Sequence, residues 1–153
     1  MDPSEIKSFG DIIGFAIEKE EEAAELYSDM AGKSDQSGTK EMFLDLAKQE
    51  QGHKARLQSI SKSGPPEQSE KTIPDLKISD YLVDVEIGSD SSYQDVLIFA
   101  MKREESAVSL YTDLAGKAGS DDLKSIFLSL ADEEKKHKLK LEVEYDDNVL
   151  KEN

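Results

Sequence analysis

This 153-residue sequence predicts an all-α fold: an antiparallel four-helix bundle made of two duplicated helix pairs joined by a long crossover. Three observations carry that expectation. A shift of 84 residues lays positions 9–57 over 93–141 without a gap, and 21 of those 49 positions are identical. Within each copy the apolar residues recur at steps of three and four, the period of one helix face. Between the copies lies a proline-interrupted stretch long enough to run the length of a bundle and return the chain to its opposite end. We take the chain as one domain, 1–153, with helix pairs at 9–62 and 92–146 and the crossover at 63–91.

The first helix is drawn by Phe9, Ile12, Ile13, Ala16, Ala23, Tyr27 and Met30, with Gly32 placed to cap its C-terminus. SDQSG, residues 34–38, breaks the pattern, and Phe43, Leu46, Leu57 and Ile60 open the next stripe. SGPP at 63–66 stops the second helix, because proline lacks a backbone donor and clashes with the preceding turn. In the crossover, DLKISDYLV is suited to a short helix or an extended segment. The second copy repeats the plan, with helices over roughly 92–116 and 122–146, and an acidic tail after Tyr145 that is expected to fray.

Composition narrows the chemistry. The chain has no cysteine, which excludes disulfides, thiolate zinc sites and a four-thiolate iron centre. A net charge of −15 argues against a nucleic-acid partner and against anionic membrane surfaces, since both require basic surface. The N-terminus shows no basic region followed by an apolar run, and no apolar run approaches the roughly 20 residues needed to span a bilayer. The expectation is a cytoplasmic protein.

Four acids sit where apolar residues belong. The four stripes read Ile13, Ala16, Glu20, Ala23, Tyr27; Phe43, Leu46, Glu50, His53, Leu57; Leu97, Ala100, Glu104, Ala107, Tyr111; and Phe127, Leu130, Glu134, His137, Leu141. His53 and His137, the only histidines, each stand three residues after a glutamate and so on the same helix face. Four buried carboxylates cannot all stay ionised without compensating charge, and no lysine or arginine is expected on these stripes. Two divalent cations would neutralise them. One glutamate from each of two helices, with Glu-x-x-His from each of the other two, is the ligand plan of di-iron and di-manganese bundles. A carboxylate and imidazole set suits iron or manganese, with zinc as an alternative. A metal-free dimerisation module would leave four core glutamates uncompensated. The neighbouring acids Glu18, Glu21, Glu22, Glu105 and Glu133 fall off the stripes and read as solvated surface, with the equivalent pair Glu21 and Glu105 the best placed for another role.

These residues resemble the ferritin-like di-iron carboxylate superfamily and, within it, the rubrerythrin family; the likeness covers both helix pairs, about two thirds of the chain. Glu20 with Tyr27, and Glu104 with Tyr111, match the family's glutamate seven residues before a tyrosine, and Glu50/His53 and Glu134/His137 match its Glu-x-x-His. There are two departures. The additional glutamate typical of the third helix is here Ala107, equivalent to Ala23, which brings the site closer to a symmetrical six-ligand plan. The cysteine-free chain also has no rubredoxin domain, so it resembles stand-alone rubrerythrin-type domains.

The resemblance implies two iron ions, with Glu50 and Glu134 bridging them and Glu20, Glu104, His53 and His137 as terminal ligands. It also implies a non-haem peroxidase reducing hydrogen peroxide, or a ferroxidase using dioxygen to oxidise ferrous iron. The alternative is non-catalytic iron binding, storage or delivery. Tyr27 and Tyr111 read either as core packing with a bonded hydroxyl or as groups that orient a ligand carboxylate. A separate electron donor such as rubredoxin, and a homodimer in which helix pairs can be exchanged, complete the expectation.

Overall fold

Ser8 opens the first helix by a reciprocal cap. Its Oγ accepts from the Asp11 backbone N–H at 3.2 Å, and the Asp11 carboxylate accepts from the Ser8 N–H at 3.2 Å. Two otherwise orphaned donors are thus satisfied at the positive end of the helix dipole. The computed structural model describes residues 8–63, 81–83, 87–88 and 90–150. Among them lie four helices: α1 (Phe9–Lys33), α2 (Ser37–Ser63), α3 (Tyr93–Gly116) and α4 (Asp121–Asn148). Ser92 and Ser120 cap α3 and α4 as Ser8 caps α1, accepting from Asp95 N–H and Leu123 N–H at 3.1 Å each. Asp121 and Asp122 add negative charge to the first turn of α4.

The chain forms two compact units, Met1–Asp75 and Leu76–Asn153. In the first, α1 and α2 are antiparallel. Tyr27 stacks on Phe43, and Glu20 faces His53, so a higher number on one helix meets a lower one on the other. The second unit repeats this with Tyr111 on Phe127 and Glu104 facing His137. Phe43, Leu46 and Leu57 in the first unit, and Leu97, Phe127, Leu130 and Leu141 in the second, are fully buried. Each such side chain contributes about 1.5–3 kcal/mol by leaving water.

Three boundaries differ from the sequence reading. The break between α1 and α2 spans only residues 34–36. Gly32 does not cap α1, because the helix continues to Lys33 and the chain then leaves in an extended conformation at Ser34 (φ −87°, ψ 131°). No left-handed residue is required there. The acidic tail does not fray at Tyr145: α4 continues to Asn148, and Val149 is buried. Cross-helix contacts hold this end. The Tyr93 hydroxyl donates to Glu144 at 2.8 Å, and Gln94 Nε2 donates to the Tyr145 hydroxyl at 3.0 Å. Most of the crossover, including residues 75–80, lies outside the described residues, but Tyr81 is buried and its hydroxyl donates to Asp113 of α3.

Candidate metal centre

Burying three ionisable groups in a two-helix unit opposes folding, by several kcal/mol for each ion that stays charged. Both units do so. Glu20 of α1 with Glu50 and His53 of α2, and Glu104 of α3 with Glu134 and His137 of α4, are each no more than 2% exposed. The helix period explains why: each glutamate stands seven residues before a buried apolar residue, Tyr27, Leu57, Tyr111 or Leu141, so each shares the inward face.

The imidazoles are aimed alike. His53 Nδ1 lies 3.2 Å from Glu50 Oε1 and 3.5 Å from Glu20 Oε2. His137 Nδ1 lies 3.1 Å from Glu134 Oε1 and 3.8 Å from Glu104 Oε2. In both units Nδ1 is therefore the nitrogen that converges with two carboxylates from two helices. Burial alone would lower the basicity of His53, but Glu20 and Glu50 outweigh it and hold its pKa at about 10. The same atom can carry that proton or donate to a metal ion.

The donors fit a divalent ion. Ligand atoms about 2.1 Å from a shared ion stand roughly 3 Å apart when at right angles, close to the spacing of each imidazole and its own-helix glutamate. Nitrogen and carboxylate oxygen donors with no sulfur suit iron, manganese or zinc. Each unit thus presents a buried set of two carboxylates and one imidazole, donors of the types that suit such metals.

Tyr27 and Tyr111 are wholly buried, with rings 6.2 and 6.4 Å from those of Phe43 and Phe127 in a stacked arrangement. Their packing role is evident in each unit. The off-stripe acids divide. Glu18, Glu22 and Glu105 are exposed, with Glu22 paired to Lys19 at 3.1 Å, and half-buried Glu133 accepts from Ser129. Glu21 instead binds Lys54 across the helix pair at 2.7 Å, and the hydrogen bond from Lys54 keeps its carboxyl below the usual range.

Among the described residues, two buried charged side chains escaped the sequence reading. Arg103 is buried beside Glu104 in α3, so a cation does flank one stripe, contrary to expectation. Its place was visible in the spacing Ala100, Arg103, Leu110, Leu114, but its charge argued for surface. Long stems let such cations bury their carbons alongside a core. Glu144 is also buried, three residues beyond Leu141 on the α4 face. Burial and Glu144 together push the Tyr93 phenol above its ordinary value.

Comparison with known proteins places this arrangement. No curated protein matches the chain. Among solved structures, the chain is similar to a candidate ferritin-like diiron-carboxylate protein from Thermotoga maritima, with a TM-score of 0.79, 24% identity, and 92% of this chain and 95% of that one covered. It is also similar to a hypothetical protein from Pyrococcus furiosus, with a TM-score of 0.71, 29% identity, and 91% and 89% covered. The fold is therefore ferritin-like. The rubrerythrin family model matches residues 11–88 and 95–153, and these stretches contain all six buried glutamates and histidines of the two sets. On that match over most of its length, the chain belongs to the rubrerythrin family.

Proposed function

We propose that the two sets together hold two iron ions, and that the protein is a di-iron oxidoreductase that reduces hydrogen peroxide to water or uses dioxygen to oxidise ferrous iron. One observation carries the reading: buried Glu and Glu-x-x-His residues occur at duplicated positions, with both imidazoles turned by Nδ1 toward two carboxylates. Glu50, His53, Glu134 and His137 are of the kinds that hold a metal ion. Glu50 and Glu134 would bridge the ions; Glu20, Glu104, His53 and His137 would be terminal ligands.

When bound, the ions supply the electrons for peroxide or oxygen reduction. The chain's own residues do the rest. The glutamates offset the cationic charge, the apolar walls restrict water, and Tyr27 and Tyr111 would orient the carboxylates of Glu20 and Glu104. Electrons would come from a separate donor such as rubredoxin. A cytoplasmic homodimer is the form we expect. The net charge of −15 would draw ferrous ions toward the protein.

Ala107 favours a second reading. It is half-buried where rubrerythrins typically place a further glutamate, so the ligand sets are alike in the two copies. That symmetry suits oxygen-dependent iron oxidation, or iron storage and delivery, better than peroxide turnover. An anaerobic ferrous titration that counts metal per chain, followed by stoichiometric peroxide, separates the readings. Two irons retained and rapidly oxidised support the peroxidase. Two retained but sluggish toward peroxide support oxygen chemistry or iron handling. None retained refutes both.

A further inference from the structure

In the first unit, the residue that follows each candidate ligand joins a contact across the helix pair. Glu21 follows Glu20, Gln51 follows Glu50, and Lys54 follows His53. Lys54 Nζ lies 2.7 Å from Glu21 Oε2, and Gln51 Nε2 donates to the same oxygen at 3.4 Å. The side chains next in sequence to all three ligands thus meet at one carboxylate oxygen.

The second unit has the same plan but not the same contacts. Its equivalents are Glu105, Lys135 and Lys138. Lys138 Nζ stands 3.8 Å from Glu105 Oε2 and also 3.8 Å from Glu142 Oε1 on its own helix. Lys135 turns to Asp132 of its own helix, 3.9 Å away. The Glu105 side chain is 67% exposed, against 37% for Glu21. The cross-helix ligand spacing follows the same order, 3.5 Å from His53 to Glu20 and 3.8 Å from His137 to Glu104.

We propose that Glu21, Gln51 and Lys54 form a positioning clamp that makes the two ions unequal: the first ion bound is the one with Glu20 and His53 as terminal ligands, the second the one with Glu104 and His137. This rests on the metal-binding reading above. A ligand set already held in place loses less freedom when it closes on an ion. Lys54 is matched closely by Glu21, whereas Lys138 is matched at longer range.

An anaerobic Co2+ titration of the full chain, followed by visible absorption, tests the proposal. The wild type is expected to fill in two steps. Lys54→Met should weaken the first step on the order of tenfold, the lower end of what groups supporting a ligand contribute. Lys54→Arg should retain it, and Lys138→Met should leave it in place. The urea midpoint of each metal-depleted variant is measured alongside. A clamp that merely stabilises the fold would move the midpoint of Lys54→Met and leave its stepwise affinities alone, which would overturn the proposal. So would two Co2+ ions bound with one affinity, or an equal loss from Lys138→Met; either result leaves the two-metal reading standing. No Co2+ retained would refute that reading and the proposal with it.

Discussion

His53 Nδ1 lies 3.2 Å from Glu50 Oε1, and its duplicate, His137 Nδ1, lies 3.1 Å from Glu134 Oε1. A buried imidazole and carboxylate one turn apart add little to stability, because desolvation offsets their attraction. On the proposed function, their value lies in holding metal. Replacing them together with Glu20, the third member of the buried set, by well-packed apolar residues should therefore lower metal content while leaving the metal-depleted fold intact. Glu20→Leu/Glu50→Leu/His53→Leu is expected to lose bound iron after desalting, yet its metal-depleted form should be as stable as wild type or up to about 1–4 kcal/mol more stable in urea. Single Glu50→Ala and His53→Ala variants should each lose metal. Full metal content in either would remove that residue from the ligand set.

The raised pKa of His53 gives a pH dependence with a definite sign. Folding lifts the group from its ordinary 6.5 to about 10, because Glu20 and Glu50 outweigh burial. Its contribution to the stability of the metal-depleted protein is therefore fully present below about 6.5 and is lost as pH rises through about 10. The urea stability difference between wild type and His53→Leu should shift in favour of the variant across that window. A metal ion ligated by Nδ1 would replace that proton, so metal uptake near neutral pH should release protons in a weakly buffered titration.

Tyr27 separates packing from positioning. Tyr27→Ala removes a ring stacked on Phe43 and should cost about 3–5 kcal/mol in urea unfolding, the range for deleting a large buried aromatic. Tyr27→Phe keeps the ring and should cost about 1 kcal/mol. If the hydroxyl orients Glu20, Tyr27→Phe will also shift the absorption of the Co2+-loaded protein. An unchanged spectrum would assign the residue to packing alone.

Ser8 reports on the α1 terminus. Ser8→Ala removes the acceptor for Asp11 N–H and half of the reciprocal cap. A loss of about 1 kcal/mol is expected, seen as a fall of about 2–4 °C in Tm for a chain of this size. Metal content should not change, since the cap lies three turns from Glu20. A coupled loss of metal would show that α1 entry and the ligand set move together.

The helices and the buried sets were readable from the residues, because both depend on local geometry. A period of 3.6 residues places Glu20 with Ala16 and Ala23, and Glu50 with His53, whatever surrounds the helix. Duplication then supplied the second set at Glu104, Glu134 and His137. The ends were less readable. Gly32 looked like a cap, yet Ser34 takes that place; the tail after Tyr145 looked solvated, yet Glu144 and Val149 are buried.

What tertiary structure alone decided lies between residues far apart in sequence. The orientation of each Nδ1 toward a glutamate on the neighbouring helix, the pairing of Tyr93 with Glu144, and the burial of Arg103 depend on which helix faces meet. The difference between the Glu21–Lys54 and Glu105–Lys138 contacts is of the same kind. The residue types at these four positions are identical in the two copies, so no pattern within one helix distinguishes them. Only the neighbours differ, Gln51 against Lys135 and a competing Glu142, and a side chain's partner is set by which of the groups within its reach returns the most for the freedom it loses.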